Sequence, residues 1–178
     1  MIYIVGVCHE VQFINETSNL PLIGNFANHI IETIKRNNIT ILAEEWSEQA
    51  LKAWGSNTDT LRTIAKKLEI EHIFCDPDDA ERKKIGYPTR QDMRKTLNLP
   101  STFNTETDLE EANKKIKEEE RKFYPIREKY WLEILGDKIQ EDILFVCGDD
   151  HIKTFPEQIM KYNVKFSIVS NNVWNSVL

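Results

Sequence analysis

Four apolar runs in this chain end in acid or imidazole. Residues 2–8 run into His9-Glu10, residues 39–43 into Glu44-Glu45, residues 71–75 into Asp76, and residues 143–147 into Gly148-Asp149-Asp150-His151. Imidazole and carboxylate are the side chains that most readily move protons near neutral pH. Two imidazoles with a carboxylate can hold a divalent ion and leave positions open for water. Without metal, one such group serves as general base and another orients it. His9, Glu44, Glu45 and His151 are therefore the candidate catalytic groups, and His9, Glu44 and His151 a candidate set for Mn, Zn or Ni. Alternation along a strand lets only one of Glu44 and Glu45 point into a given pocket. Asp76 and Asp79 sit in a turn and are expected as caps. His29 and His72, in a helical pattern and at a strand start, are expected to be structural.

Arg127 belongs with these groups. Along the helical pattern of residues 107–135, Ile116, Glu120, Phe123, Arg127, Tyr130 and Ile134 recur at i+3/i+4 steps, which puts the guanidinium on an apolar stripe. A buried guanidinium needs anionic partners, and carboxylates at the strand ends can supply them. In a hydrolytic reading His9 activates a water, and Glu44 or Glu45 orients it or takes its proton. His151 binds a metal or stabilises the oxyanion, and Arg127 anchors a substrate carboxylate or phosphate.

The elements that must position these residues follow from periodicity. The short β-branched runs at 2–8, 39–43, 71–75, 143–147 and 164–169 are the strands. Unbroken apolarity implies burial on both faces, hence a parallel sheet covered by helices. Helical patterns fall at 20–36, 47–54, 58–68, 90–97 and 155–162, with a long one from a Thr107-Asp108-Leu109-Glu110 capping box to about Leu135. Pro125 should kink that helix or restart it. Strands alternating with helices give a three-layer α/β domain with a mostly parallel sheet of about five strands and helices on both faces. The long kinked helix precedes strand four. The expected strand order is 3-2-1-4-5, because the first and fourth runs are the most apolar. In such a sheet ligands bind beyond the carboxyl ends of the strands.

Composition narrows the function classes. The 178 residues fit one domain, 1–178. Lys and Arg number 23 against 29 Asp and Glu, a net charge of -6, which argues against nucleic acid and anionic membrane as partners. No apolar run approaches the ~20 residues of a membrane span, and the N-terminus lacks a signal-peptide pattern. Cys8, Cys75 and Cys147 show no CxxC spacing and fit a reducing, cytoplasmic setting as small buried hydrophobes. Neither a G-x-G-x-x-G nor a G-x-x-x-x-G-K-[ST] loop is present.

Gly6-Val7-Cys8-His9 and Gly148-Asp149-Asp150-His151 each resemble a GxxH motif after a strand, Glu44-Glu45 closes the second strand, and Arg127-Glu128-Lys129-Tyr130-Trp131 resembles a helix-borne R-[DE]-x-x-M motif with Trp131 in place of Met. In that order the set resembles the superfamily of erythromycin esterases, ChaN-like haem-binding proteins, TraB proteins and Tiki metalloproteases. The resemblance implies histidines after two strands, an early glutamate and a helix-borne arginine as the site. Metal-dependent, metal-independent and haem-binding members all occur, so it leaves the cofactor open. The expected function is a small cytoplasmic hydrolase of an ester or amide bond in a small-molecule substrate. The alternative is a haem- or small-ligand-binding protein that uses the same histidines without turnover.

Overall fold

In the computed structural model, residues 1–8, 11–12, 20–55 and 59–170 of the chain are described. Five strands, β1 (Ile2–Val7), β2 (Ile41–Glu44), β3 (Glu71–Phe74), β4 (Ile143–Gly148) and β5 (Phe166–Ser170), form one sheet in which every pairing is parallel. The order is β3-β2-β4-β1-β5. This corrects the expected 3-2-1-4-5: β4, not β1, lies beside β2. Apolarity marks both strands as internal, since β4 is buried at all six positions and β1 at five of six. It does not say which of two equally buried strands touches β2. Ile143 pairs in register with both Ile2 and Ile41, so β4 is the strand that ties the halves together.

Side-chain alternation divides the core in two. Ile2, Ile4, Ile41, Ala43, Ile143, Phe145 and Cys147 face one way, against Trp131, Leu132 and Leu135 of α7 (Tyr124–Leu135) and Phe155 and Ile159 of α8 (Phe155–Lys161). Val5, Val7, Leu42, Leu144 and Val146 face the other way, against Phe26, Ile30 and Ile34 of α1 (Leu20–Asn37) and Leu61, Ile64 and Ala65 of α3 (Thr60–Leu68). The result is the three-layer α/β arrangement that βαβ connections favour. No helix among the described residues is long and apolar enough to cross a membrane.

Connections near the strand ends are helical. After β2 comes α2 (Glu48–Ala53), capped by Ser47. After β3 come α4 (Asp79–Ile85) and α5 (Arg90–Thr96), each opened by a capping box, Asp78 with Glu81 and Thr89 with Asp92. Helix α5 was expected from the sequence; α4 was not, because it buries no residue and so carries no apolar stripe. Helix α6 (Glu106–Arg121) is capped by Thr105, two residues before the expected box at Thr107. The backbone leaves α6 at Lys122, and α7 restarts with Pro125 in its first turn, where the missing N–H costs nothing. This restart resets the helical phase. The buried side of α7 is Tyr124, Glu128, Trp131, Leu132 and Leu135, whereas Ile134, on the expected stripe, is 41% exposed. The single stripe from Ile116 to Ile134 is therefore not formed, and Arg127 lies at the border of the buried side.

Candidate functional site

Glu44 and Glu45 leave β2 in succession, so they point to opposite faces of the sheet. Glu45 turns to the α7 side. Its Oε2 accepts the Gly148 N–H at 2.7 Å, and its Oε1 lies 2.6 Å from Nη1 of Arg127 and 3.4 Å from Nε2 of His151. Arg127 donates through Nε to Asp76 Oδ1 at 2.5 Å. Trp131 Nε1 donates to the same oxygen at 3.2 Å, and Arg82 donates to Asp76 Oδ2 at 3.0 Å. His151, in the short 3-10 turn Asp149–His151 that follows β4, pairs through Nδ1 with Glu128 Oε1 at 2.7 Å. The Thr154 hydroxyl donates to that carboxylate as well. The rings of Tyr124 and Trp131 lie against the imidazole, with centroids 4.0 and 4.7 Å away.

Three carboxylates, Glu45, Asp76 and Glu128, thus alternate with three basic groups, Arg82, Arg127 and His151, in one connected network. Mutual pairing is what permits charges at this depth. Burial of His151 disfavours its charge, but the Glu45 carboxylate and the hydrogen bonds to Glu128 and Glu45 outweigh it and raise the pKa to about 9. For Arg127 burial acts against the charge too, and Asp76 and Glu45 hold the guanidinium protonated. At neutral pH His151 is therefore an imidazolium that presents N–H groups to two carboxylates. Above the network opens a cleft of about 630 Å³, lined by Glu45, Arg127, His151 and Tyr124, with Arg82, Arg90, Lys114 and Lys117 on its walls. Lys117 and Arg121 both pair with Asp150.

Of the expected catalytic residues, Glu45, Arg127 and His151 come together, and Glu44 does not join them. Glu44 sits on the α1/α3 side, where its Oε2 accepts from Gln12 Nε2 at 2.8 Å and its Oε1 lies 2.6 Å from His72 Nε2. The expected metal set His9, Glu44 and His151 is thus not assembled as a unit, because Glu44 and His151 lie on opposite faces; His9 falls outside the described residues. Asp76 is not the cap it was expected to be. Asp78 caps α4, and Asp76 is the partner of Arg127. Asp79 is in the first turn of α4, and its carboxylate accepts from Gln49. Asp76, Arg82, Glu128 and Trp131 are the members of the network that sequence reasoning did not place in the site. A signal was present for three of them, since Asp76 ends the third apolar run and Glu128 and Trp131 belong to the motif that begins at Arg127.

Around Glu44 a second polar group gathers, in which ligand atoms of Glu44, Asp59 and His72 all lie within 4.8 Å of one another. Asp59 is the N-cap of α3, its Oδ1 accepting the Leu61 and Arg62 N–H groups at 2.7 and 3.2 Å. Burial raises Glu44 to about 7, burial and the nearby Glu44 charge raise Asp59 to about 8, and burial lowers His72.

No protein-family model matches this chain, and no curated protein or solved structure does either. The likeness to the esterase, ChaN, TraB and Tiki superfamily accordingly rests on the motif residues themselves.

Proposed function

We propose that this chain is a small hydrolase of ester or amide bonds, with the working groups at the floor of the charged cleft. The observation that carries this reading is the imidazole of His151, paired through Nδ1 with Glu128 and set beside Glu45 and Arg127 along the cleft. A proton held up to about pH 9 makes His151 an acid: it donates to a developing oxyanion or to the departing alcohol or amine. It is the wrong form to act as a base or to bind metal at neutral pH. Water activation is assigned to His9, the histidine of the first GxxH pattern. Glu45, pinned by the Gly148 N–H and Arg127, orients that chemistry. Since Arg127 is already engaged by Glu45 and Asp76, the substrate's anionic group is left to Arg90 and Lys114 on the walls.

Initial rates on a panel of p-nitrophenyl esters and anilides test the reading. His151→Gln and Glu45→Gln are expected to lower kcat/KM by at least ~100-fold. Arg127→Lys should lower it less, since the charge stays and the planar fork is lost. The rate should fall as pH rises through about 9, where His151 gives up its proton. Turnover no faster than buffer, or variants as active as the parent, would overturn the proposal.

A further inference from the structure

On the face of the sheet opposite the charged cleft, we propose that Glu44, Asp59 and His72 bind one divalent first-row metal ion, with Zn²⁺ and Mn²⁺ the ions that fit the donor set. Two carboxylates and one imidazole supply mixed oxygen and nitrogen ligands of the kind these ions take, and three protein ligands leave room for water. The ligand atoms lie within 4.8 Å of one another, and the side chains are 0%, 1% and 12% exposed. An ion bonded at about 2.1 Å to each donor needs ligand separations of roughly 3.4 Å, so Glu44 and His72 would part by less than about 1 Å.

A second observation singles this group out from other acidic clusters. Oδ2 of Asp59 is fully buried and, with both carboxyls ionised, has no hydrogen-bond donor among the described residues, while its neighbour Oδ1 is fixed by the α3 cap. The cap aims Oδ2 into the group, 3.9 Å from His72 Nε2. Leaving a buried carboxylate oxygen unmet is costly, and buried polar atoms are ordinarily satisfied. A cation between Asp59, Glu44 and His72 would satisfy it and neutralise both carboxylates. Gln12, donating to the other oxygen of Glu44, would orient that ligand from behind. His72 stands on β3, the edge strand, and its partly exposed ring offers the ion an entry from the sheet's edge. None of this depends on the hydrolase reading, which concerns the other face.

The test is calorimetric titration of the full chain, freed of metal with chelator, with ZnCl2 and with MnCl2, backed by the visible absorption of added Co²⁺. The expected result is one saturable equivalent. Asp59→Asn keeps the capping oxygen and removes the charged ligand, and His72→Gln removes the imidazole. Each is expected to weaken binding by at least 30-fold while the far-ultraviolet circular dichroism stays that of the parent. Arg127→Lys, in the other network, should bind as the parent does even where it lowers hydrolysis. Absence of saturable binding by all three ions would mean that the two carboxyls share a proton instead, and would overturn the proposal. So would undiminished binding in both Asp59→Asn and His72→Gln.

Discussion

Protonation of His151 decides what the cleft can do, and the same proton leaves a mark on stability. Its pKa is raised in the folded chain to about 9 from an ordinary 6.5. A group raised by folding contributes stability that is fully present below the unfolded value and is lost as pH rises through the folded one. The window therefore runs from about pH 6.5 to about 9. A difference of this size corresponds to between about 3 and 4 kcal/mol. Urea unfolding of the parent and of His151→Gln at pH 6, 7.5 and 9.5 is expected to show the parent losing most of this increment between pH 6 and 9.5, with a flatter profile in the variant. Parallel profiles would mean that His151 is not held charged by Glu45 and Glu128. At this scale much of the site was legible: residue type and position at strand ends pointed to Glu45 and His151, and the demand of a guanidinium for anions pointed to Arg127. Choosing between Glu44 and Glu45 needed only the period of a strand, once the face was known. That Asp76 and Glu128 pair with Arg127 and His151 was not legible, because which carboxylate meets a buried cation is settled by how α7 approaches β3 and β4.

At the scale of elements, the site depends on how closely the 3-10 turn after β4 sits on β1. A Cβ on Gly6 would lie 2.5 Å from Asp149 Oδ1 and 2.5 Å from Ile152 Cγ1. Only hydrogen at that position lets the segment that carries His151 lie on the strand, which gives the first glycine of the GxxH pattern a physical reason. Gly6→Ala is accordingly expected to cost roughly 1–3 kcal/mol, as overpacking does, and to lower hydrolysis by displacing His151. Thermal melts together with initial rates would check it; a variant with parental melting and rate would show that the turn can shift without consequence. The elements themselves could be read from hydrophobic period wherever one side is buried, as in α1, α3 and all five strands. They failed where that signal was missing. Helix α4 has no buried side, and the break at Lys122 and Phe123 shifted the phase of α7 so that Ile134 faced solvent. Strand order was lost because β1 and β4 are both buried on two sides, and pairing is set by helix packing and register rather than by composition.

For the whole molecule, the sheet acts as a partition between two buried polar sites. Consecutive residues of β2 serve both: Glu45 with Arg127 and His151 on the α7 side, Glu44 with His72 and Gln12 on the α1/α3 side. Among the described residues the contacts of each set stay on its own face, and between the faces lie the close-packed strands β2 and β4. Energetic coupling between sites arises from shared partners or from backbone that moves for one and is felt by the other. Among the described residues the partners are separate, and the backbone between Glu44 and Glu45 is held in register by Cys75 N–H to Glu44 carbonyl at 2.9 Å and Glu45 N–H to Val146 carbonyl at 2.9 Å. A rigid strand of this kind should insulate the two sites. In a double-mutant cycle on unfolding free energy, His72→Gln and Arg127→Lys are each expected to cost roughly 1–3 kcal/mol, and the pair to equal their sum within about 0.5 kcal/mol. Coupling well above about 1 kcal/mol would show that β2 transmits strain from one face to the other, and would make an ion on the Glu44 side a means of adjusting the cleft beside Glu45.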